Sequence, residues 1–124
     1  MGIKRRMYKS LLQLNEKKMI IIDIAKDFTD EPGARNYSDG PFSGEEFFDK
    51  ILRPKYIEAK EKNQKLKIIL DGTEGYASSF LNEAFIRLGT EFTPDEVWNN
   101  LILVSNEIPK YIKKVKQSIY EKKK

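Results

Sequence analysis

The stretch LKIILDGTEGYASSFLNEAFIRLG, residues 66–89, decides the fold. It opens on LKIILD at 66–71, an apolar, β-branched run closed by an acid, the pattern of a buried strand. Gly72 and Gly75 then frame a turn. From Ser78 the period changes from strand-like to helical: Phe80, Leu81, Ala84, Phe85 and Leu88 fall on one helix face, and Gly89 is the expected C-cap. A buried strand that passes through a short turn into an amphipathic helix is the repeating unit of an α/β fold.

The same unit recurs on both sides. Upstream, MIIIDI at 19–24 reads as the first buried strand, and downstream LILVS at 101–105 reads as the third. Ser43 opens the helix that joins the first two, because SGEE has capping-box spacing, with the Ser43 hydroxyl taking a backbone donor and Glu46 reaching back. Phe47, Phe48, Ile51 and Leu52 form its apolar face, Pro54 is expected to kink or interrupt it, and Tyr56, Ile57 and Ala59 continue it. TPDE at 93–96 is a second start signal, with Thr93 as cap and Glu96 completing the box. In the final helix, EIPKYIKKVKQSIYEK at 107–122, Ile108, Ile112, Val115 and Ile119 form the apolar stripe. Strand, helix, strand, helix, helix, strand, helix implies right-handed crossovers and a mostly parallel or mixed sheet flanked by helices. Ahead of all this, IKRRMYKSLLQLN at 3–15 spaces Ile3, Met7, Leu11 and Leu14 as a short helix or a docked arm would. The expected division is a basic segment at 1–18, an α/β domain at 19–115, and the end of the last helix with a basic tail at 116–124.

At 124 residues the chain is sized for one domain with one core, and 40 % apolar residues suffice to build it. Cysteine and histidine are both absent. That excludes disulfides, thiolate nucleophiles, Cys/His metal sites and every mechanism built on an imidazole base. The longest apolar run, MIII at 19–22, is far below the ~20 residues of a membrane span, and the start lacks a signal peptide's pattern, so the expected compartment is the cytoplasm. The net charge of +4 conceals a polar arrangement: residues 1–18 carry six basic side chains against one acid, residues 107–124 carry seven against two, and the interval between is acidic. The basic ends read first as solubilising tails and, as the alternative, as arms for a phosphate backbone; no RNP aromatics, zinc-finger spacing or clear recognition helix accompanies them.

Two strand-to-helix loops concentrate the residues that could carry function. The first, PGARNYSDGPFSGEEF at 32–47, is rich in glycine and reads either as a structural loop that caps a sheet edge or as a binding loop opening a helix whose first amides are free for an anion or a partner; its candidates are Gly33, Arg35, Asp39, Gly40, Ser43, Gly44 and Glu45. No P-loop or dinucleotide fingerprint is present. The second, DGTEGYASSFLNEAF at 71–85, sets Ser78 and Ser79 at a helix opening, either as plain N-caps or as acceptors for a phosphate that the helix start would stabilise. Phe80, Asn82 and Glu83 complete that helix surface, Glu83 as an exposed acid or a partner contact. Trp98, just before the third strand, is a packing residue or an interface anchor.

PGARNYSDGPFSGEEFFDKIL and IILDGTEGYASSFLNEAFIRL together resemble the bacterial STAS-like domains of unknown function, which show Pro-Gly, Arg, Asp-Gly and Ser-Gly-Glu before Phe, then Ser-Phe-Leu with Glu-Ala-Phe close behind. The resemblance covers about residues 19–115. It implies distant kinship with the STAS anti-sigma factor antagonists, in which a serine of a helix opening Asp-Ser-Ser-Gly is phosphorylated by a kinase of the histidine-kinase-like ATPase fold. On that alignment Ser79 falls on the phosphorylated serine and Ser78 beside it, while Ala77 and Phe80 stand where the motif has Asp and Gly. The expectation is a non-enzymatic, cofactor-free regulatory module that binds a protein partner. The competing readings are a nucleic-acid-associated protein gripping phosphates with its basic ends, and an enzyme using Arg35, Asp39, Ser43 or Glu83 on an anionic substrate.

Overall fold

The computed structural model describes residues 19–122, and the segment expected to be basic and helical at 1–18 lies outside them. Three strands, β1 (Ile20–Asp23), β2 (Leu66–Ile69) and β3 (Leu101–Val104), pair in the order β1-β2-β3, all parallel. The register aligns Ile20, Leu66 and Leu101 in one row and Ile22, Ile68 and Leu103 in another. Those two rows face the core: Ile22, Leu66 and Ile68 are almost fully buried.

The strand order explains why one face of the sheet is covered so much better than the other. Crossovers between parallel strands are right-handed. When the sheet grows in one direction without reversing, every crossover falls on the same face, and no switch point of the doubly wound kind arises. The rows Ile21–Lys67–Ile102 and Asp23–Ile69–Val104 accordingly lie on the opposite face, where Ile21 is 48 % exposed and the others are half-buried.

Helices follow the strands as expected, with four local corrections. A single turn, α1 (Ile24–Asp27), extends β1 and is capped by the Asp23 carboxylate, which accepts from the Lys26 amide. The first crossover starts as α2 (Gly44–Phe47), widens into a π turn at Phe48–Leu52 and continues as α3 (Arg53–Glu61). Pro54 does interrupt this helix, and the π turn is the form the interruption takes, since proline offers no amide and its ring would strike the carbonyl four residues back. Glu46 is the second correction: it accepts from the Phe42 amide, not that of Ser43, so only the Ser43 half of the box forms, with its hydroxyl accepting from the Glu46 amide at 3.0 Å.

The long helix α4 runs from Ser78 to Phe92, three residues past the expected end. Gly89 is therefore not a C-cap but a contact residue: a Cβ there would collide with the Ile119 backbone in α6 (Lys110–Tyr120). The fourth correction is Thr93. It precedes α5 (Pro94–Asn100) with φ +73° and makes no capping bond, while Glu96 turns away to accept from the Tyr56 hydroxyl at 2.7 Å and the Lys60 ammonium at 3.1 Å. In the core Phe47, Phe80 and Phe85 pack with Tyr56, Leu81 and Leu88, and Trp98 lies half-buried against them with the Lys116 ammonium 5.0 Å from its ring centre, as a packing residue would. No helix among the described residues is long and apolar enough to cross a membrane.

Candidate functional site

The two loops singled out from sequence meet on α4. The loop before α2 is short of regular structure, with one 3-10 turn at Tyr37–Asp39, and is held by paired charges. Glu83, 3 % exposed on α4, accepts from the Arg35 guanidinium of the loop at 3.1 Å and is ion-paired with Arg87 one turn further along α4. Arg87 also reaches Glu45 at 3.2 Å, and Glu45 in turn accepts from the Tyr37 amide at 3.0 Å. Arg35, Glu83, Arg87 and Glu45 thus alternate in charge across three segments. A carboxylate buried this deeply requires such partners, since an unpaired one would cost several kcal/mol.

This arrangement revises the expected roles of the loop residues. The amides at the opening of α2 are not free: Gly44 donates to the Ala34 carbonyl at 2.9 Å, Glu45 to the Arg35 carbonyl at 3.0 Å, and Glu46 to Ser43. Ser43 is fully buried as a cap. Gly44 lies where a Cβ would strike the Phe80 carbonyl, so its glycine serves close packing of the helix opening on α4. Asp39 accepts from the Asn36 amide at 3.0 Å and shapes the 3-10 turn, and Gly40 closes that turn at φ +144°, a conformation that favours glycine. Gly33 stands exposed with open space around its Cα. Phe80 and Glu83, expected on the helix surface, are both buried, because α4 is covered on one side by the loop and on the other by α6. Asn82 bridges those two sides: its Oδ1 accepts from Arg35 at 3.0 Å and its Nδ2 donates to Glu121 at 2.7 Å.

The second loop is braced differently. The Asp71 carboxylate accepts from the amides of Asn106 and Glu107 at 3.1 and 2.9 Å, and Glu107 accepts from the Gly72 amide at 2.7 Å, a reciprocal pair that ties the exits of β2 and β3 together. Gly72 and Gly75 have φ of +91° and +124°. The Tyr76 hydroxyl donates to the Leu70 carbonyl at 2.9 Å, and burial pushes its pKa far up, so it stays a neutral donor. Its amide donates to the Tyr111 hydroxyl at 3.1 Å. The N-cap of α4 is Ala77, whose side chain offers no acceptor, so neither serine caps the helix. Ser78 and Ser79 occupy its first two positions; Ser78 is exposed and Ser79 half-buried, and neither hydroxyl has a hydrogen-bond partner among the described residues.

Arg87, Asp71, Glu107 and Tyr111 were not among the residues expected from sequence. The four-residue spacing of Glu83 and Arg87 on a helix was the one available signal. Among the described residues no cluster of acidic side chains could hold a metal ion.

No curated protein and no solved structure matches the chain. The model of one family, described as a STAS-like domain of unknown function, matches residues 43–110, from the buried Ser43 cap to the start of α6. That span includes β2, β3, the serine pair and three of the four alternating charges, so the chain belongs to the STAS-like domains of unknown function.

Proposed function

We propose that this domain is a non-enzymatic regulatory module that docks a partner protein, an ATPase of the histidine-kinase-like fold, on the surface shared by the 32–44 loop and the start of α4. Phosphorylation of Ser79, or of its neighbour Ser78, switches that contact. One observation carries the reading: two serines without hydrogen-bond partners among the described residues begin a helix of 15 residues directly after the β2 turn. A phosphate there brings a charge of about −2 beside amides that lack intrahelical partners, and changes the docking surface without refolding the domain. Of the two, Ser78 is the more exposed.

The test is a tagged pull-down from the native cells, with intact mass and partner identification on the same preparation. The expected result is an ATPase partner and a mass gain of one phosphoryl group that disappears in either Ser79→Ala or Ser78→Ala. Against the recovered partner, the aspartate variant of the modified serine binds more weakly than the alanine variant. Equal affinities of the two variants, or an unmodified protein without an ATPase, overturn the reading.

A further inference from the structure

The start of α4 and the first turns of α6 line a cleft of about 340 Å³, which shares Ser78 with the proposed phospho-switch but is otherwise lined by residues the switch does not use. Its volume is within the range of small-molecule sites. The walls are Leu81, Tyr76 and Tyr111, the two rings meeting edge to face with centres 5.0 Å apart. Lys110, Lys113 and Lys114 also line it, and no carboxylate does. Some surface lysines pair with acids, Lys50 with Glu46, Lys60 with Glu96 and Lys62 with Glu58, while others such as Lys26, Lys65 and Lys67 do not among the described residues; what sets the cleft apart is that three lysines converge on one apolar cavity. The three cleft lysines have no such partner among the described residues.

Two further groups can donate. The Tyr111 hydroxyl accepts from the Tyr76 amide, and its own proton is spent on no acceptor among the described residues. Ser78 lines the cleft opposite α6 with its hydroxyl equally unengaged. Three uncompensated cations and two hydroxyl donors around an apolar, partly aromatic wall are complementary to one kind of ligand: a dianion carried on a flat apolar body.

We propose that this cleft binds a small phosphomonoester with an aromatic body, its phosphate held by Lys110, Lys113 and Lys114 and its ring laid against Leu81 and Tyr111. The lysines act as point charges that exposed water screens in part, so affinity depends on the ring as well as on the phosphate. The site is complete in the unmodified protein and needs no kinase.

Phenyl phosphate serves as the probe, titrated into the isotope-labelled, unphosphorylated full chain and followed by amide chemical shifts. Saturable shifts are expected at Tyr76, Ser78, Leu81 and Tyr111, with inorganic phosphate and phenol each binding at least several-fold more weakly. The double variant Lys110→Gln, Lys114→Gln should lose affinity about tenfold, two screened contacts together, whereas Lys62→Gln should leave it unchanged. Absence of saturable shifts, equal binding of inorganic and phenyl phosphate, or an unaltered affinity in the double variant would each overturn the proposal. Because the protein is unmodified throughout, these outcomes are independent of whether Ser78 or Ser79 is ever phosphorylated.

Discussion

Arg87 and Glu83 form one ion pair but do not bear equal weight. The Glu83 side chain is 4 % exposed and the Arg87 side chain 26 %, so only the carboxylate depends on its partner for solvation. Removing a partner from a buried charge costs about 3 kcal/mol or more, whereas a half-exposed guanidinium that loses its carboxylate can rehydrate. Arg87→Met should therefore destabilise the domain by more than Glu83→Gln, which should cost about 1 kcal/mol, but by less than the roughly 3 kcal/mol of a buried charge left with no partner, because Arg35 still donates to Glu83; urea unfolding measures both. The reverse order would sink the idea that the acid is the dependent partner. Adding Glu83→Gln to Arg87→Met should restore part of the loss, which a packing defect at Arg87 would not allow. At this scale the sequence was only partly legible. Spacing pairs Glu83 with Arg87, but the contacts of Arg35 and Arg87 with acids more than forty positions away are made by folding and leave no local trace.

Gly89 shows how an element overrides a residue's ordinary meaning. In a helix interior glycine is worse than alanine by up to about 1 kcal/mol, so Gly89→Ala would stabilise an isolated α4. Here α4 and α6 approach so closely that the added methyl meets the Ile119 carbonyl backbone, which cannot rotate aside. Overpacking of this kind costs about 1–3 kcal/mol, and the expected sign is reversed: Gly89→Ala should lower the melting temperature. An unchanged or higher melting temperature would show that the two helices can move apart. The same conflict explains which elements could be read in advance. The three strands are contiguous apolar runs, and their central residues were plain; the end of α4 was not, because a glycine at a helix crossing and a glycine at a helix end look alike in sequence. Likewise TPDE carries a start signal that α5 honours with Pro94, while Glu96 is drawn off to Tyr56 and Lys60, both supplied by α3.

For the whole molecule that diversion has a consequence under acid. Covering one face of a three-stranded sheet leaves a single core, and α3 and α5 are joined across its edge by Glu96, between the buried Tyr56 and the exposed Lys60. The Tyr56 hydroxyl bond holds the Glu96 carboxyl below the ordinary carboxylate range; desolvation opposes this, and Lys60 adds to it. The unfolded chain, without these partners, takes up the proton more readily, so the contribution is present above the ordinary carboxylate pKa and is lost as pH falls through the lowered value. Burial raises the Tyr56 pKa well beyond neutrality, so the donor itself does not titrate in this window. Tyr56→Phe keeps the ring in the core and deletes the bond, and should cost about 1 kcal/mol at neutral pH. Urea unfolding of both proteins should show that difference shrinking between about pH 6 and about pH 3 as the carboxylate is neutralised. Carboxylates elsewhere in the fold titrate in both proteins alike and cancel in the comparison. A loss that stays constant across the range would mean that Tyr56 contributes through packing alone, and that α3 and α5 are held together without the charge on Glu96.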